Sequence, residues 1–412
     1  MSDSGAPEKP VVLVYTEPLL ARSMTFIRTQ AEALTSFSPH YISPHYLREG
    51  LPLPKERVLV MRRGEGGFSR LTEVPFKMFG VAPLFVRRLR RLRPALLHAQ
   101  FGHMGVRALP LARRLGIPLV VTFQGCEATM YDEFLRADVS YSVRVYVRRR
   151  SALNVSAALL IAVSDFTRDE MVRQGFSANK IVVHYVGVDT ELFRPNPEVN
   201  REPIVLFTGR LAEKKGCEYL IRAMAKVQAA SPHMELVVVG DGPLRPELER
   251  LARQNLCKYR FLGFQPPDVV KHWMNRARIF GAPSVRARSG DAEGYPNSFA
   301  EAQSMGLPVV SFSSDGVREA VAHGKTGFLA PERDTEGLAH YLQKLCTDQG
   351  LCTQMGEAAR AHVCEHFNLR TQTRKLEELY MRVLGKDPSQ LPWHGQTEGE
   401  LGERVAALDA QG

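Results

Sequence analysis

The sequence predicts an α/β protein of two doubly wound, parallel-sheet domains facing each other across a cleft. Three observations predict it. Short apolar runs rich in Val, Ile and Leu alternate with helical patterns nearly throughout the 412 residues, the runs fall into two series, and a proline-rich break separates the series. Continuous apolar runs are how strands buried on both faces of a parallel sheet read. Their alternation with helices argues βαβ units, and the length asks for more than one domain.

The first series is Val11–Thr16, Ala95–Ala99, Leu119–Phe123, Leu159–Val163 and Ile181–Tyr185. The second is Ile204–Thr208, Glu235–Gly240, Arg260–Leu262, Ile279–Ala282 and Pro308–Phe312. The break, Phe193 to Pro203, holds three prolines among polar residues, which makes a linker. Phe367 to Leu384 reads as a helix with Leu369, Leu376, Leu379, Tyr380 and Val383 as its apolar positions. Beyond Gly385 the chain is polar and Gly-rich and reads as a mobile tail, with a short helix near Arg404 to Asp409. The expected division is an N-terminal domain over 1–195, a linker over 196–203, a C-terminal domain over 204–366, a terminal helix over 367–385 and a tail over 386–412. Ligands of open α/β sheets bind beyond the C-terminal ends of the strands, so the chemistry is expected in the loops that follow these runs.

Composition narrows the class. Hydrophobic residues make up 44% and charged residues 24%, an ordinary globular balance. No apolar run approaches the ~18–20 residues that span a bilayer, and Met1 to Pro10 carries no signal-peptide core. A cytoplasmic protein is expected. The six cysteines form no CxxC pair and no zinc-finger spacing, so they read as reduced thiols.

The net charge of +10 is placed unevenly: Met1 to Pro195 carries 27 Lys and Arg against 17 Asp and Glu, whereas the remainder is balanced at 27 each. The first half is therefore expected to meet something anionic. Val81 to Arg93 reads as an amphipathic helix with a stripe of Val81, Leu84, Phe85, Leu89 and Leu92. Arg87, Arg88, Arg90, Arg91 and Arg93 crowd the same helix, and Arg144, Arg148, Arg149 and Arg150 form a second cluster. Two readings stand: a solvated helix packing its stripe on the sheet, or a surface that docks on anionic lipid. The second would place the protein peripherally on the inner face of the membrane. Nucleic acid is not expected, because no recognition motif or aromatic platform accompanies the arginines.

Three segments carry chemistry. In Leu206 to Gly216 a strand ends at Thr208, Gly209 permits a sharp turn, and Arg210 and Lys215 follow before a helix that begins near Gly216. Two cations beside a helix N-terminus suit a diphosphate: Arg offers a planar fork and Lys a point charge. An ordinary solvated loop is the alternative. Val237 to Glu249 is a strand, a Gly-rich turn (Gly240-Asp-Gly-Pro243) and a helix, which suits a ligand-lining loop or a plain βα turn. The third, Pro283 to Gly306, contains Glu293-Gly-Tyr-Pro-Asn-Ser-Phe-Ala-Glu301. Glu293 lies in a loop, and a helix is expected to start near Asn297 or Ser298, both good N-cap types. Glu301 then lies one turn in, where a carboxylate can accept from two hydroxyls of a ribose.

With these residues in view, the chain resembles the family-4 retaining glycosyltransferases of the GT-B fold over about Val11 to Leu384. The resemblance rests on Gly209-Arg210, Lys215-Gly216, Gly240-Asp-Gly-Pro243, Phe261-Leu-Gly-Phe264, the Glu293/Glu301 pair and Gly324-Lys-Thr-Gly-Phe328. Ser23-Met-Thr-Phe-Ile27 with Gln30, His98-Ala-Gln-Phe-Gly102 and Pro118 to Gly125 look like the colanic-acid-type exopolysaccharide branch. The resemblance implies two Rossmann-like domains, a nucleotide-sugar donor on the C-terminal domain, and a final helix crossing back to the N-terminal domain. Arg210 and Lys215 would hold the diphosphate that follows Gly209, backbone at Gly263 and Phe264 the base, and Glu301 the ribose. Glu293 and the backbone of Gly294, Tyr295, Pro296 and Asn297, whose amides other than that of Pro296 can donate, would meet the donor sugar. The expected activity is hexosyl transfer with retention to a saccharide or lipid-linked acceptor in surface polysaccharide or glycolipid biosynthesis. No cofactor and no metal are expected, and the sequence carries no DxD triplet. A sugar-nucleotide epimerase or a non-catalytic nucleotide-sugar-binding protein would be the rival functions.

One departure matters. Many family members carry a histidine where this sequence has Gln124, and glutamine cannot take a proton at neutral pH. Gln124, His103 in the loop after Phe101, and Glu17 at the end of the first strand are the acceptor-side candidates, while His98, ending a strand, reads as structural.

Overall fold

The computed structural model describes residues 9–47, 50–62, 75–76, 82–138 and 140–387. Among these, the N-terminal half builds a seven-stranded, all-parallel sheet. Its strands are β1 (Val11–Tyr15), β2 (Ser38–His45), β3 (Val58–Arg62), β4 (Pro94–Gln100), β5 (Leu119–Phe123), β6 (Leu159–Ala162) and β7 (Ile181–Val183), in the order β3-β2-β1-β4-β5-β6-β7. The C-terminal half builds a second parallel sheet from β8 (Ile204–Thr208), β9 (Glu235–Val239), β10 (Tyr259–Phe261), β11 (Ile279–Gly281), β12 (Val309–Phe312) and β13 (Gly327–Ala330), in the order β10-β9-β8-β11-β12-β13. Each order reverses beside its first strand, which is the doubly wound pattern and places a crevice at that point.

Strand periodicity sorts the first sheet into two cores. Leu13, Tyr15, Leu97, Ala99, Val121, Phe123, Leu160 and Ala162 face one way and bury Phe85, Leu89, Met104, Leu111, Tyr146, Leu153 and Met171. Those residues belong to helices Pro83–Arg91, Gly102–Leu115, Tyr141–Ser156 and Asp165–Arg173. The intervening Val12, Val14, Leu96, Val120 and Ile161 face the other way, onto Ile27 and Ala31 of helix Thr25–Glu32 and onto Leu376, Leu379, Tyr380 and Met381. Side chains alternate across a strand, so both faces of each strand are consumed and the runs read as continuously apolar.

The last four residues belong to helix Leu369–Val383, which follows the C-terminal sheet in sequence yet packs on the N-terminal one. It starts where Asn368 accepts from the amide of Arg370 (2.9 Å), two residues after the expected start at Phe367. The fully buried Glu377 fixes it by accepting from the amides of Thr35 (2.7 Å) and Ser36 (2.6 Å) and from the Thr35 hydroxyl (3.1 Å).

Strands β2, β3 and β13 were not expected. In β2 the prolines Pro39 and Pro44 masked the signal. The stagger of the sheet explains their tolerance: β1 pairs with residues 38–42 and β3 with 41–45. Each proline therefore has a neighbouring strand on one side, and its missing N–H leaves no acceptor stranded. The basic helix also differs from its expected pattern. Its buried residues are Phe85, Val86 and Leu89, whereas Leu84 is 78% exposed. Val81 and the expected tail helix near 404–409 lie outside the described residues. No helix among the described residues is long and apolar enough to cross a membrane.

Candidate active site

The strand ends of the C-terminal sheet supply the cations. Gly209 follows β8, and Arg210 beyond it is exposed and makes no ion pair among the described residues. The turn Glu213–Lys215 then closes on Gly216, whose backbone is left-handed (φ +62). A Cβ there would lie 1.8 Å from the carbonyl oxygen of Pro283, so only glycine lets this turn rest on the loop after β11. That close approach brings Lys214 to Asp291 (2.9 Å) and Lys215 to Glu293 (2.5 Å). Burial opposes ionisation of Glu293, but Lys215 and Lys214 outweigh it and hold the carboxyl below its ordinary range. Lys215 and Glu293, expected to touch different parts of a donor, are thus joined directly.

Helix Asn297–Ser304 begins at Asn297, with Pro296 in the cap position and no side chain capping it. Asn297 and Ser298 therefore do not serve as the cap. Glu301 stands one turn in. Its carboxylate accepts no hydrogen bond from the described residues, and burial pushes its pKa up to about 7. A carboxylate partly withdrawn from water and without protein donors is unfavourable by itself, so this is a position where a ligand's hydroxyls would improve the state. Tyr295 points elsewhere: its buried ring packs on Tyr185 and Phe367 at centroid distances of 5.2 and 5.1 Å, leaving the backbone of this residue for any ligand. Gly263 (φ +70) accepts from the amide of Gly240 at 2.8 Å, linking the turns after β9 and β10. The ring of Phe264 beside it is half exposed, with the Arg22 guanidinium of the other domain 5.8 Å from its centroid.

Across the cleft, the loop after β5 meets this wall at backbone distance. A Cβ on Gly294 would lie 2.5 Å from the carbonyl oxygen of Gln124, and one on Gly125 would lie 3.0 Å from the amide nitrogen of Gly294. Gln124 is therefore beside the segment expected to meet the donor sugar. Glu127, buried, holds its loop by accepting from the amides of Gln124 (2.9 Å) and Gly102 (3.0 Å). The Gln124 side chain donates to Gln100 Oε1 at 3.1 Å.

The other acceptor-side candidates are engaged differently from expectation. Arg107 grips Glu17 in a fork, Nε to Oε2 at 3.0 Å and the terminal nitrogen to Oε1 at 3.2 Å. This ties the end of β1 to helix Gly102–Leu115. His103 sits in the first turn of that helix, not in a loop; its ring lies on Phe101 (5.6 Å), and burial lowers its pKa. His98 is structural: its ring nitrogens meet the Tyr380 hydroxyl (2.6 Å) and the Thr122 hydroxyl (2.7 Å), and burial brings its pKa down to about 3.

No pattern in the sequence points to Glu127 or Arg107, nor to the residues that join the domains. Glu319 accepts from the amides of Asp165 (3.0 Å) and Phe166 (2.8 Å) and from the Tyr185 hydroxyl (2.8 Å). Arg286 bridges Glu170 and Asp315, each at 2.8 Å. Asp315 apart, these partners lie more than a hundred residues away along the chain, and no periodicity marks them.

Comparison with known proteins agrees with this arrangement. Residues 13–192 match the model of Glycosyltransferase Family 4, and residues 188–362 that of Glycosyl transferases group 1. The amylovoran biosynthesis glycosyltransferase AmsK of Erwinia amylovora is 30% identical over 289 residues, 69% of each chain. The putative colanic acid biosynthesis glycosyltransferase WcaL of Escherichia coli K12 is 31% identical over 290 residues, 68% of this chain and 69% of that one. Among solved structures, Anabaena Alr3699/HepE in complex with UDP and glucose superposes with a TM-score of 0.69 over 90% of this chain and 99% of that one, at 19% identity. With both halves matched, a two-domain parallel α/β fold and a polar cleft between strand ends, the chain belongs to the family-4 glycosyltransferases of the GT-B fold.

Proposed function

We propose that the protein transfers a hexose, with retention and without a metal, from a nucleotide-diphosphate sugar to a saccharide or lipid-linked acceptor in surface polysaccharide or glycolipid biosynthesis. The observation that carries the reading is the donor wall: Arg210 without an ion pair among the described residues, Lys215 on Glu293, and the partly buried carboxylate of Glu301 without a protein donor among them, all beyond the ends of one parallel sheet. Arg210 and Lys215 supply positive charge to the departing diphosphate. Glu301 accepts from the ribose hydroxyls. Glu293 and the backbone from Gly294 to Asn297 face the sugar, and backbone at Gly263 and Phe264 faces the base.

In the transfer step the bond from the anomeric carbon to the phosphate oxygen breaks. The acceptor oxygen bonds to that carbon on the same face, and the acceptor proton passes to the leaving phosphate. No protein base is then required, which suits a glutamine at position 124. AmsK and WcaL are named for amylovoran and colanic acid biosynthesis, which supports a surface polysaccharide, and the HepE complex with UDP and glucose makes a UDP-hexose the first donor to try.

The basic face supports an anionic membrane surface as the place of action, on the inner side. Helices Pro83–Arg91, Gly102–Leu115 and Tyr141–Ser156 lie on one face of the N-terminal sheet. They expose Arg87, Arg88, Arg91, Arg113, Arg114, Arg148 and Arg149, together with Leu84. Arg90 and Arg150 contribute less, being held by the Arg114 carbonyl (2.6 Å) and by Asp132 (2.6 Å).

The deciding experiment is a thermal-shift screen of UDP-, GDP- and ADP-sugars on the wild type, Arg210→Ala and Glu301→Ala. One donor class should stabilise the wild type and neither variant. Product anomers followed by NMR, with and without EDTA, test retention and metal independence. Epimerised sugar from donor alone would count against transfer.

A further inference from the structure

The acceptor-side glutamine is not a free side chain. A run of polar groups leads away from it through the interior of the N-terminal domain. The Gln124 amide donates to Gln100 Oε1 (3.1 Å), and the Gln100 amide meets His98 Nε2 (3.4 Å). The Thr122 hydroxyl meets the same His98 nitrogen (2.7 Å), and His98 Nδ1 meets the hydroxyl of Tyr380 on the crossing helix (2.6 Å). Gln100, His98, Thr122 and Tyr380 are all buried, whereas Gln124 keeps one side toward the cleft.

We infer that Gln100 is a positioning residue that fixes the rotation of the Gln124 amide, so that its carbonyl oxygen faces the acceptor hydroxyl. The inference rests on the proposed approach of the acceptor beside Gln124. A primary amide presents a donor at one end and an acceptor at the other. Which end faces the cleft is therefore set by what the buried end meets. Gln100 offers its oxygen, so Gln124 spends its NH2 inward and shows its oxygen outward. Gln100 can hold that orientation only if its own NH2 finds an acceptor, and His98 Nε2, which it shares with the nearer Thr122 hydroxyl, is that acceptor. In the inferred arrangement His98 is neutral and carries its proton on Nδ1, donating to the Tyr380 oxygen; the burial that holds its pKa at about 3 keeps it neutral. A proton on Nε2 would go to the Thr122 oxygen and withdraw the acceptor that holds Gln100.

The polarity decides chemistry. An outward oxygen accepts the hydrogen bond of the incoming hydroxyl as it docks and so directs a lone pair of that hydroxyl at the anomeric carbon; as the carbon–phosphate bond breaks, the proton turns from the amide oxygen to the departing phosphate. An outward NH2 would donate to the acceptor oxygen, engage one of its two lone pairs and lower its nucleophilicity. Such alignment acts on the transition state more than on donor binding.

The test has two arms. In the first, the full chain is labelled with 15N-histidine, and the ring nitrogens of His98, assigned by the loss of their signals in His98→Gln, are observed between pH 5 and 8. A proton resident on Nδ1 across this range is expected; a proton on Nε2 overturns the inference whatever the substrate proves to be. In the second, release of nucleoside diphosphate is followed with the nucleotide sugar that most stabilises the wild type. Gln100→Leu should lower kcat about tenfold with the donor KM within twofold. Gln100→Glu, whose carboxylate still accepts from the Gln124 amide, should recover most of that loss. Equal losses in the two variants, or a loss confined to KM, overturns it. Loss of donor-induced stabilisation in Arg210→Ala reports on the donor reading separately.

Discussion

Replacing Glu301 by glutamine should make the unliganded protein more stable and the enzyme inactive. In the structure the partly buried side chain has no hydrogen-bond donor among the described residues, and burial lifts its pKa from the ordinary 4.5 to about 7. A tenfold change in proton affinity corresponds to about 1.4 kcal/mol, so the ionised form is disfavoured by roughly 3 kcal/mol. Because the residue is only partly buried, solvent screening reduces this to about 1–3 kcal/mol. The sign follows from linkage: an acid whose folded-state pKa is raised binds its proton more tightly when folded. Its stabilising contribution is present below about pH 4.5 and is lost as the pH rises to about 7.

Glu301→Gln removes the ionisation and keeps the shape. At pH 8 the variant should melt higher than the wild type by about 2–10 °C, at a few degrees per kcal/mol for domains of this size. The gain should shrink towards zero at pH 4.5. The donor should then stabilise the wild type and not the variant, since the ribose hydroxyls lose an anionic acceptor. Calorimetric or fluorescence melting of both proteins at pH 4.5, 6 and 8, with and without donor, checks this. A variant less stable than the wild type at pH 8, a gain that ignores pH, or undiminished donor protection would refute the reasoning.

Four further outcomes follow from the same geometry. Lys215→Met should destabilise the fold by about 3 kcal/mol, because it leaves the buried Glu293 with Lys214 as its remaining cation; adding Glu293→Gln should recover part of this in denaturant unfolding while activity stays lost. Arg210→Ala breaks no ion pair among the described residues, so its unfolding free energy should stay within about 0.5 kcal/mol of wild type as donor affinity falls ten- to a hundredfold by calorimetry. Gly294→Ala places a Cβ 2.5 Å from the Gln124 carbonyl, so it should widen the cleft and cut kcat at least a hundredfold while the circular dichroism spectrum is kept. Leu84→Glu with Arg87→Glu and Arg88→Glu should abolish sedimentation with vesicles containing phosphatidylglycerol and leave turnover of a soluble acceptor unchanged; equal sedimentation of both proteins would count against the membrane face.

Much of the wall proposed to hold the donor was legible because it is local. A strand, a glycine and a cation follow one another in Thr208-Gly209-Arg210, and Glu293 and Glu301 share one loop-to-helix segment. Their partnership was not legible. That Lys215 reaches Glu293 depends on Gly216 resting on Pro283, a contact between loops far apart in sequence. Tyr295 shows the same limit: its backbone was expected to meet a donor sugar, and nothing along the chain signals that its ring packs inward on Tyr185 and Phe367. Leu84 fitted a helical stripe by spacing, yet the sheet beneath receives Phe85, Val86 and Leu89. Strand β2 was missed because its prolines are permitted only by the stagger of β1 and β3.

The sequence by itself determined the two parallel α/β domains, the crossing helix and the residue types along the proposed donor wall, because apolar periodicity and turn chemistry are written in neighbouring residues. The tertiary structure alone decided which charges neutralise one another, how the domains lock through Glu319 and Arg286, and which way Gln124 turns its amide. Those outcomes depend on distances between strand ends and helices that the chain brings together only on folding, and hydrogen bonds and ion pairs act over a few ångströms of space without regard to separation along the chain.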